Sequence, residues 1–247
     1  FVNADGFKKS IAGPGVGNYI TMSKALAAAR AIVGEERLRS GGLVQAHGTG
    51  TPQNRVTESE IMSQTAQAFG IDSWPVAALK CYLGHSLGSA SGDQVNATLG
   101  TWASGLIPGI TTIDELADDV RQDHLAFSTR HREIDPEQQA YAVINSKGFG
   151  GNNASATLLS PAVTHQMLQS RYSAREWQAW ERANEAVLAQ QQCYDDDMIA
   201  GTRAPVYNFD HGVLADSDVA LDEHELRVGE HRISLALSSP YEDMKLR

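Results

Sequence analysis

The sequence predicts an α/β domain in residues 1–160, and three observations lead to this prediction. Short apolar runs at 42–46, 75–79 and 141–145 have the length and composition of buried strands. Helix-length segments that end at glycines lie between the early runs. The order strand, helix, strand, helix and then a pair of strands is typical of an α/β sheet.

Residues 1–18 are predicted to form a glycine-rich loop. A glycine-rich turn before a helix can bind phosphate. Here no strong strand leads into the turn, Pro14 interrupts it, and no P-loop lysine follows. We therefore interpret the segment as a plain loop rather than a nucleotide site. A helix is then predicted over 19–33, and Gly34 is expected to end it.

Two further helices are predicted after the first two strands. The first should begin with Asn54 as its cap and run to about residue 69, where Gly70 closes it. The second is predicted over 88–104 and should end before Gly105. The small residues at its start allow this second helix to lie close to its neighbours.

The chain between the last of these helices and the closing pair of strands is predicted to be rich in turns. Within 106–139, a short strand is expected over 125–128. The strand over 141–145 should lead into a loop at 146–153, and a second strand at 154–159 should leave that loop. These two strands complete the predicted domain.

Residues 161–247 are predicted to be a helical and acidic C-terminal extension. They contain 8 Lys and Arg against 15 Asp and Glu, a balance of −7. Ser173 and Glu176 have capping-box spacing for a helix. We interpret the extension as a solvated appendage packed on the main domain. The pair of Trp177 and Trp180 is interpreted as a packing stripe rather than a groove for a partner.

Composition and charge exclude several classes of function. The net charge of −10 over 247 residues argues against a nucleic-acid partner, because phosphate binding needs clustered Lys and Arg. No apolar run approaches the roughly 18 residues of a membrane span, so none is predicted. Two cysteines are too few for a disulfide framework and indicate a reducing cytoplasm. The chain begins at Phe1, without methionine and within a motif, which indicates a fragment of a longer protein.

Three segments rich in glycine and histidine follow the predicted strands. The first strand leads to His47 in the stretch His-Gly-Thr-Gly-Thr-Pro at 47–52. The second is followed by Lys80 and His85, and the third by Gly-Phe-Gly-Gly at 148–151. Ligands of open α/β sheets collect outside the carboxyl ends of the strands, so the three segments predict a site there.

These segments, together with Asn-Ala-Asp-Gly at 3–6, resemble the C-terminal half of the β-ketoacyl synthases, the condensing enzymes of fatty-acid and polyketide synthesis. The resemblance covers residues 1–160 and is closest to the elongating bacterial type. It implies a thiolase-like, layered α/β/α/β/α fold, of which this chain is the C-terminal half only. It also implies 3-oxoacyl-[acyl-carrier-protein] synthase activity, in which malonyl carrier protein is decarboxylated and its enolate attacks an acyl thioester. The cysteine that carries the acyl group is expected in the missing N-terminal half.

The resemblance implies three catalytic residues. His47 and His85 match the two histidines that stabilise the oxyanion formed during decarboxylation. Lys80 matches the lysine that helps to organise the second histidine. Glu58 matches a carboxylate that we interpret as structural.

The resemblance also implies residues that bind the acyl group and its carrier. Phe149 matches the aromatic residue whose backbone N–H completes the acyl oxyanion hole and whose ring gates the acyl pocket. Gly148 and Gly150 on either side permit a mobile, tightly turned backbone. The pantetheine arm is expected to be held by three hydroxyl side chains, those of Thr49, Thr51 and Ser10.

Three residues depart from the family pattern. Gln94 stands near the place where elongating members usually carry a glutamate that partners the lysine, so the surroundings of Lys80 should differ. Lys147 stands where an aromatic residue is common and places a cation near the gate. Cys81 does not match the position of the nucleophile, and we interpret it as a buried structural thiol.

Other interpretations remain open from the sequence. A non-catalytic ketosynthase-like subunit that sets chain length would share the fold but would not need both histidines and the lysine. A degradative thiolase would carry a second active cysteine near 145–150, where the sequence has none. His47 and His85 could also be unrelated loop residues, and Phe149 could be a core aromatic.

The resemblance implies partners as well. Acyl carrier protein or acyl-CoA would deliver the thioesters, the N-terminal half would complete the enzyme, and the whole would be a homodimer. No metal and no other cofactor is expected, because the remaining histidines have no ligand spacing with cysteines or acids.

Overall fold

The computed structural model describes residues 1–4, 15–204, 206 and 210–238. The chain forms two compact units, Phe1–Trp177 and Gln178–Arg247. The helices and strands of the first unit are, in chain order, β1 (Val2–Ala4), α1 (Val16–Ser40), β2 (Gly42–Gln45), α2 (Pro52–Ala68), β3 (Trp74–Ala77), α3 (Lys80–Leu83), α4 (Ala90–Ser104), β4 (Leu106–Ile107), β5 (Leu125–Ala126), β6 (Arg132–Glu133), β7 (Tyr141–Gly148), β8 (Asn152–Leu159) and α5 (Pro161–Arg171). The next helix, α6 (Ala174–Ala200), is followed by β9 (Val219–Leu221), β10 (Glu225–Val228) and β11 (His231–Ser234).

A six-stranded sheet organises the first unit, with the strand order β1-β8-β7-β2-β3-β5. The central strand β2 runs parallel to both β7 and β3, with Val44 opposite Val143 on one side and Val76 on the other. Strands β7 and β8 form an antiparallel pair at the far side of β2. The prediction of an α/β domain is therefore confirmed.

Side chains of the central strands alternate between two cores, because successive residues of a strand point to opposite faces of the sheet. Val44 and Val143 belong to the larger core, in which they pack with residues of α1 and α2. Leu43 and Ala142 belong to the smaller core on the other face, where they pack with Trp102 of α4. The sheet is thus covered by helices on both faces.

Helix α1 begins three residues before its predicted start at residue 19 and contains a kink. It begins at Val16 and continues to Ser40, although Gly34 has a φ of 81° that interrupts the helical path. The prediction that Gly34 stops the first helical segment is confirmed, because its φ of 81° and ψ of 172° are not helical. A second helical segment follows this kink and runs to Ser40. Leu38 in the second part is fully buried, and its packing accounts for the extra turns.

Helix α2 begins earlier than predicted. Its N-cap is Thr51, and Pro52 occupies the first helical position, where a fixed φ and a missing N–H are tolerated. The prediction that Asn54 caps this helix is wrong. Asn54 lies in the first turn, and its side-chain Nδ2 donates to Glu58 at 2.9 Å. The predicted closure at Gly70 agrees with its left-handed φ of 69°.

The loop predicted at 146–153 is mostly strand. Strand β7 continues to Gly148 and β8 begins at Asn152, so only Phe149–Gly151 remain as the turn. The antiparallel pairing of β7 with β8 includes Lys147, which lies opposite Asn153. Backbone pairing with a neighbouring strand has overridden the weak β-propensity of these residues.

The extension predicted at 161–247 opens with a helix that the sequence analysis did not predict. Helix α5 has Ser160 as its N-cap, whose Oγ accepts from the Val163 N–H at 3.3 Å. Helix α6 begins with the predicted capping box, in which Ser173 and Glu176 exchange hydrogen bonds. The domain boundary predicted at residue 160 stays a prediction.

The second unit contains most of α6 and a three-stranded antiparallel sheet with the order β11-β10-β9. Its register places Leu226 opposite Leu221 on one side and opposite Ile233 on the other. Over the part of the chain that the structure describes, no helix is both long and apolar enough to cross a membrane.

Candidate active site

The site lies at one edge of the large sheet, where parallel strands end. Strands β2, β3 and β7 point in the same direction, so their carboxyl ends meet at this edge. His47 follows β2, Lys80 opens α3 just after β3, and Lys147 is the next-to-last residue of β7. The topology therefore brings together three segments that are far apart in the sequence, as expected for an open α/β sheet.

His47 is a buried, neutral hydrogen-bond donor. The residue is only 7% exposed, and its Nδ1 accepts from the backbone N–H of Lys147 at 3.3 Å. Burial lowers the pKa of His47 to about 4, helped by the charges of Lys80 and Lys147 and opposed by that of Glu58. Because Nδ1 is the acceptor, the proton of the neutral ring is on Nε2.

His85 stands next to His47. The two ring centroids are 5.2 Å apart, with an angle of 78° between the ring planes. The Nδ1 of His85 accepts from the backbone N–H of Leu87 at 3.0 Å, so its neutral form also carries the proton on Nε2. Leu87 has a left-handed φ of 58°, an uncommon conformation for leucine, and this conformation shapes the turn that presents the ring.

Lys80 is half-buried, and its ammonium group is enclosed. Its Nζ makes no hydrogen bond to any residue within the described part of the chain. Burial lowers the pKa of Lys80, while the negative charges of Glu58 and then Asp93 raise it. The site therefore holds a desolvated positive charge close to two histidines, which favours negative charge in the space between them.

Glu58 is a buried residue that holds the loop of His47 in place. It is 2% exposed, and its carboxylate accepts hydrogen bonds from four donors. Two are the backbone N–H groups of His47 at 2.7 Å and Gly48 at 2.9 Å. The others are the amide groups of Asn54 at 2.9 Å and Asn145 at 2.7 Å. Such charge-assisted bonds stabilise a buried carboxylate and fix the start of the loop that carries His47.

Sequence reasoning missed the asparagine network that supports Glu58. Asn145 of β7 also accepts from Asn18 at 2.7 Å and from Ser155 at 3.0 Å. The signal was present in the sequence, since Asn145 is the polar end of an apolar strand. A buried polar residue of that kind needs partners, and here they come from three other elements.

One of the two predicted carrier-binding threonines, Thr49, lines a cavity, and the other, Thr51, lies beside it. The hydroxyls of Thr49 and Thr51 are 3.3 Å apart. A cavity of about 350 Å³ lies beside Thr49 and Lys80, with mainly apolar walls that include Met62 and Ile113. Its size and lining are typical of small-molecule sites. The third predicted residue, Ser10, lies outside the described residues.

Cys81 also lines this cavity and is half-buried rather than buried. Burial raises the pKa of its thiol, and a hydrogen bond with Thr112 opposes this only in part. A thiol with a raised pKa is protonated near neutral pH and is a poor nucleophile. Cys81 therefore lacks the properties of an activated cysteine.

Phe149 occupies the turn between β7 and β8, two residues beyond the Lys147 N–H that contacts His47. Its side chain is 85% exposed, so it is not a core aromatic. The turn has left-handed glycines at Gly150 and Gly151, and Asn152 closes it by donating to the Phe149 carbonyl at 2.9 Å. The ring is thus presented to solvent at the same edge as the histidines.

One known protein family matches the part of the chain that carries the two histidines. Residues 2–114 match the family described as β-ketoacyl synthase, C-terminal domain. Residues 2–114 are thus similar to the C-terminal domain of the β-ketoacyl synthases. The match includes the segments of His47, Lys80 and His85, and it ends before the turn at Phe149.

Curated β-ketoacyl synthases match the chain as well. The β-ketoacyl-[acyl-carrier-protein] synthase FabY of Pseudomonas aeruginosa is 46% identical over 235 residues, which are 95% of this chain and 36% of that protein. The 3-oxoacyl-[acyl-carrier-protein] synthase 1 of Escherichia coli is 30% identical over 115 residues, 47% of this chain and 26% of that protein. The chain thus spans roughly a third or less of these two relatives. The match to FabY necessarily includes most of residues 161–247.

Solved ketosynthase structures share the fold. The crystal structure of the ketosynthase FabY from P. aeruginosa has a TM-score of 0.80 at 43% identity and covers 99% of this chain and 38% of that one. Ketosynthase twelve of the bacillaene polyketide synthase from Bacillus amyloliquefaciens has a TM-score of 0.54 at 19% identity and covers 65% of this chain and 29% of that one. The expected thiolase-like ketosynthase fold is therefore confirmed.

Proposed function

We propose that this chain supplies the decarboxylation site of a 3-oxoacyl-[acyl-carrier-protein] synthase, an acyltransferase of fatty-acid synthesis. The observation that carries the proposal is the pair of His47 and His85, with ring centroids 5.2 Å apart. In both rings Nδ1 accepts a backbone hydrogen bond, which leaves Nε2–H as the free donor. Further support comes from the family domain and from the activities after which the relatives are named.

The chemistry needs two such donors. When a malonyl thioester loses carbon dioxide, the electron pair of the broken C–C bond forms an enolate, and negative charge develops on the thioester oxygen. Removing one preorganised donor to such an oxygen typically costs about 3 kcal/mol of transition-state stabilisation. His47 suits this role because its low pKa keeps the ring neutral with its proton on Nε2. Lys80 adds a positive charge at the same edge of the sheet.

The enolate then attacks the acyl thioester, whose sulfur leaves as thiolate. In this proposal the sulfur belongs to a cysteine in the N-terminal half. Phe149, with Gly148 and Gly150 beside it, contributes the oxyanion hole and gate for the acyl group, and Thr49 and Thr51 contact the pantetheine arm. Support for the last role is that Thr49 lines the cavity beside Lys80.

The partners follow from this chemistry. Acyl carrier protein or acyl-CoA delivers the thioesters, and the N-terminal half completes a cytoplasmic enzyme that acts as a homodimer. A non-catalytic chain-length subunit would have no need to keep two adjacent histidines next to a desolvated lysine. The three residues together therefore favour the enzyme over that alternative.

The test uses the enzyme that contains this chain, with malonyl carrier protein as substrate. In His85→Ala, carbon dioxide release should fall about a hundredfold or more, because one donor to the enolate oxygen is lost. Acylation of the nucleophilic cysteine, followed by intact mass, should remain close to that of the parent enzyme. His231→Ala, at an exposed position in β11, should change neither step. Decarboxylation at the parent rate in His85→Ala would refute the proposal.

A further inference from the structure

We propose that Asp93 is a positioning residue of this site, which holds the turn of His85 through Ser86 and supplies a carboxylate that acts on Lys80. The inference rests on the proposed function and names a residue that the family resemblance does not assign. The starting observation is that the next residue, Gln94, is an amide near the place where the family usually has a glutamate.

The amide of Gln94 is hydrogen-bonded at both ends, and neither of these bonds is to Lys80. The side chain is 1% exposed. Its Nε2 donates to the carbonyls of Ala46 at 2.7 Å, Gln45 at 3.2 Å and Asn145 at 3.3 Å, and its Oε1 accepts from the Ser146 hydroxyl at 3.3 Å. The amide thus links the ends of β2 and β7, and turning it away would leave buried carbonyls without donors.

Asp93 has the contacts that such a positioning role needs. It lies in the first turn of α4, where the helix dipole favours a negative charge. Its Oδ2 accepts from the hydroxyl of Ser86, the residue directly after His85. The Ser86 carbonyl in turn accepts from the Ser89 hydroxyl at 3.0 Å. Asp93 therefore ties the turn that carries His85 to the start of a long helix.

Asp93 also acts on Lys80 through space. The charges that act on Lys80 are those of Glu58 of α2 and Asp93 of α4, while Lys80, His85 and Lys147 all act on His47. Glu58 is fixed by four donors and His47 is neutral. Asp93 is therefore the second carboxylate that acts on Lys80, and unlike Glu58 it is half-buried rather than buried.

The consequence is specific to the charge of Asp93. Without it, the pKa of Lys80 should fall further below its ordinary value, because Asp93 is one of two carboxylates that raise it. The turn of His85 should also loosen, because Ser86 loses a charged acceptor. Both changes act on the decarboxylation transition state rather than on binding of the thioester, so kcat should fall while KM stays close to the parent value.

The experiment compares Asp93→Asn, Asp93→Glu and Asp72→Asn in the enzyme that contains this chain. Asp72 is exposed and precedes β3, so it lies at the opposite edge of the sheet and controls for the lost charge. We expect Asp93→Asn to lower kcat for malonyl carrier protein decarboxylation about tenfold and to move the alkaline limb of its pH profile to lower pH. Asp93→Glu should restore most of the kcat and most of the parent pH profile. Asp72→Asn should change neither kcat nor the pH profile.

A second measurement tests the role of Asp93 separately from the proposed function. The Lys80 side chain can be titrated by carbon-13 NMR in this chain alone, without any activity. Asp93→Asn should lower the observed pKa of Lys80, and Asp72→Asn should not. An unchanged pKa and an unchanged pH profile in Asp93→Asn would overturn the inference. If the parent enzyme failed to decarboxylate malonyl carrier protein while the Lys80 titration still shifted, the proposed function would fail and the electrostatic role of Asp93 would stand.

Discussion

At the scale of single residues, burial controls which forms of the site side chains exist at neutral pH. Burial disfavours the charged form of every titratable group, so it lowers the pKa of His47 and Lys80 and raises that of the Cys81 thiol. The result is a neutral imidazole and a protonated thiol at the same edge of the sheet. Around the buried Glu58, four hydrogen-bond donors replace the water that its side chain loses.

The low pKa of His47 predicts a pH dependence of stability. A histidine whose pKa falls from 6.5 to about 4 on folding binds its proton more readily in the unfolded chain. Its contribution is therefore fully present above pH 6.5 and is lost as the pH falls toward 4. Urea unfolding of this chain should show a loss of about 1–3 kcal/mol over that window that is absent in His47→Gln. His231→Gln, which removes an exposed histidine, should keep the parent slope. Parallel slopes for the parent and His47→Gln would contradict the burial of the ring.

At the scale of elements, the position of β2 between β7 and β3 depends on close packing at its first residue. Gly42 lies opposite Tyr141 in the parallel ladder. A Cβ added at Gly42 would lie 2.2 Å from the Tyr141 ring, which is fully buried and donates through its hydroxyl to the Leu38 carbonyl at 2.8 Å. The ring has nowhere to move, because its hydroxyl and its two neighbouring strands hold it.

Gly42→Ala should therefore destabilise the chain by about 1–3 kcal/mol, the usual cost of overpacking a tight core. Gly100→Ala is the matched control. Gly100 lies within α4 with no atom within 4 Å of an added Cβ, so alanine there should be neutral or stabilise by up to about 1 kcal/mol. Both effects can be read from urea midpoints. A similar midpoint for the two variants would show that the Tyr141 ring can move aside.

At the scale of the whole molecule, the two hydrophobic cores lie entirely within the first compact unit, Phe1–Trp177. The last core residue is Val163 of α5, which is 5% exposed. The sheet that carries the site is therefore complete in this unit. By contrast, α6 has no buried residue, and its described large apolar side chains are partly or largely exposed.

This distribution predicts the outcome of two truncations. A chain of residues 1–177 should keep the folded sheet and the His47 environment, seen as an unchanged histidine NMR signal. A chain of residues 1–160, which ends at the predicted domain boundary, should be less stable by about 2 kcal/mol or more, because it loses Val163 and the helix that Ser160 caps. Equal stability of the two chains would place the end of the domain at residue 160 after all.

Much of the fold could be predicted because its local signals are strong. The apolar runs at 42–46 and 141–145 identified the two central strands, and the glycine after each helix marked most of the ends. The errors share a cause. Asn54 has a strong local preference for starting a helix, yet the position of Pro52 decided where α2 begins. The strand residues at 146–148 have weak preferences, and pairing with β8 decided their structure.

The sequence by itself determined which residues reach the edge of the sheet, because a buried strand places the residue after it at that edge. It could not determine that the Lys147 N–H fixes the tautomer of His47, or that Gln94 holds the ends of β2 and β7. Those facts belong to the tertiary structure, since such hydrogen bonds join residues far apart along the chain. They depend on the register of neighbouring strands, and burial of the site then sets which groups carry charge.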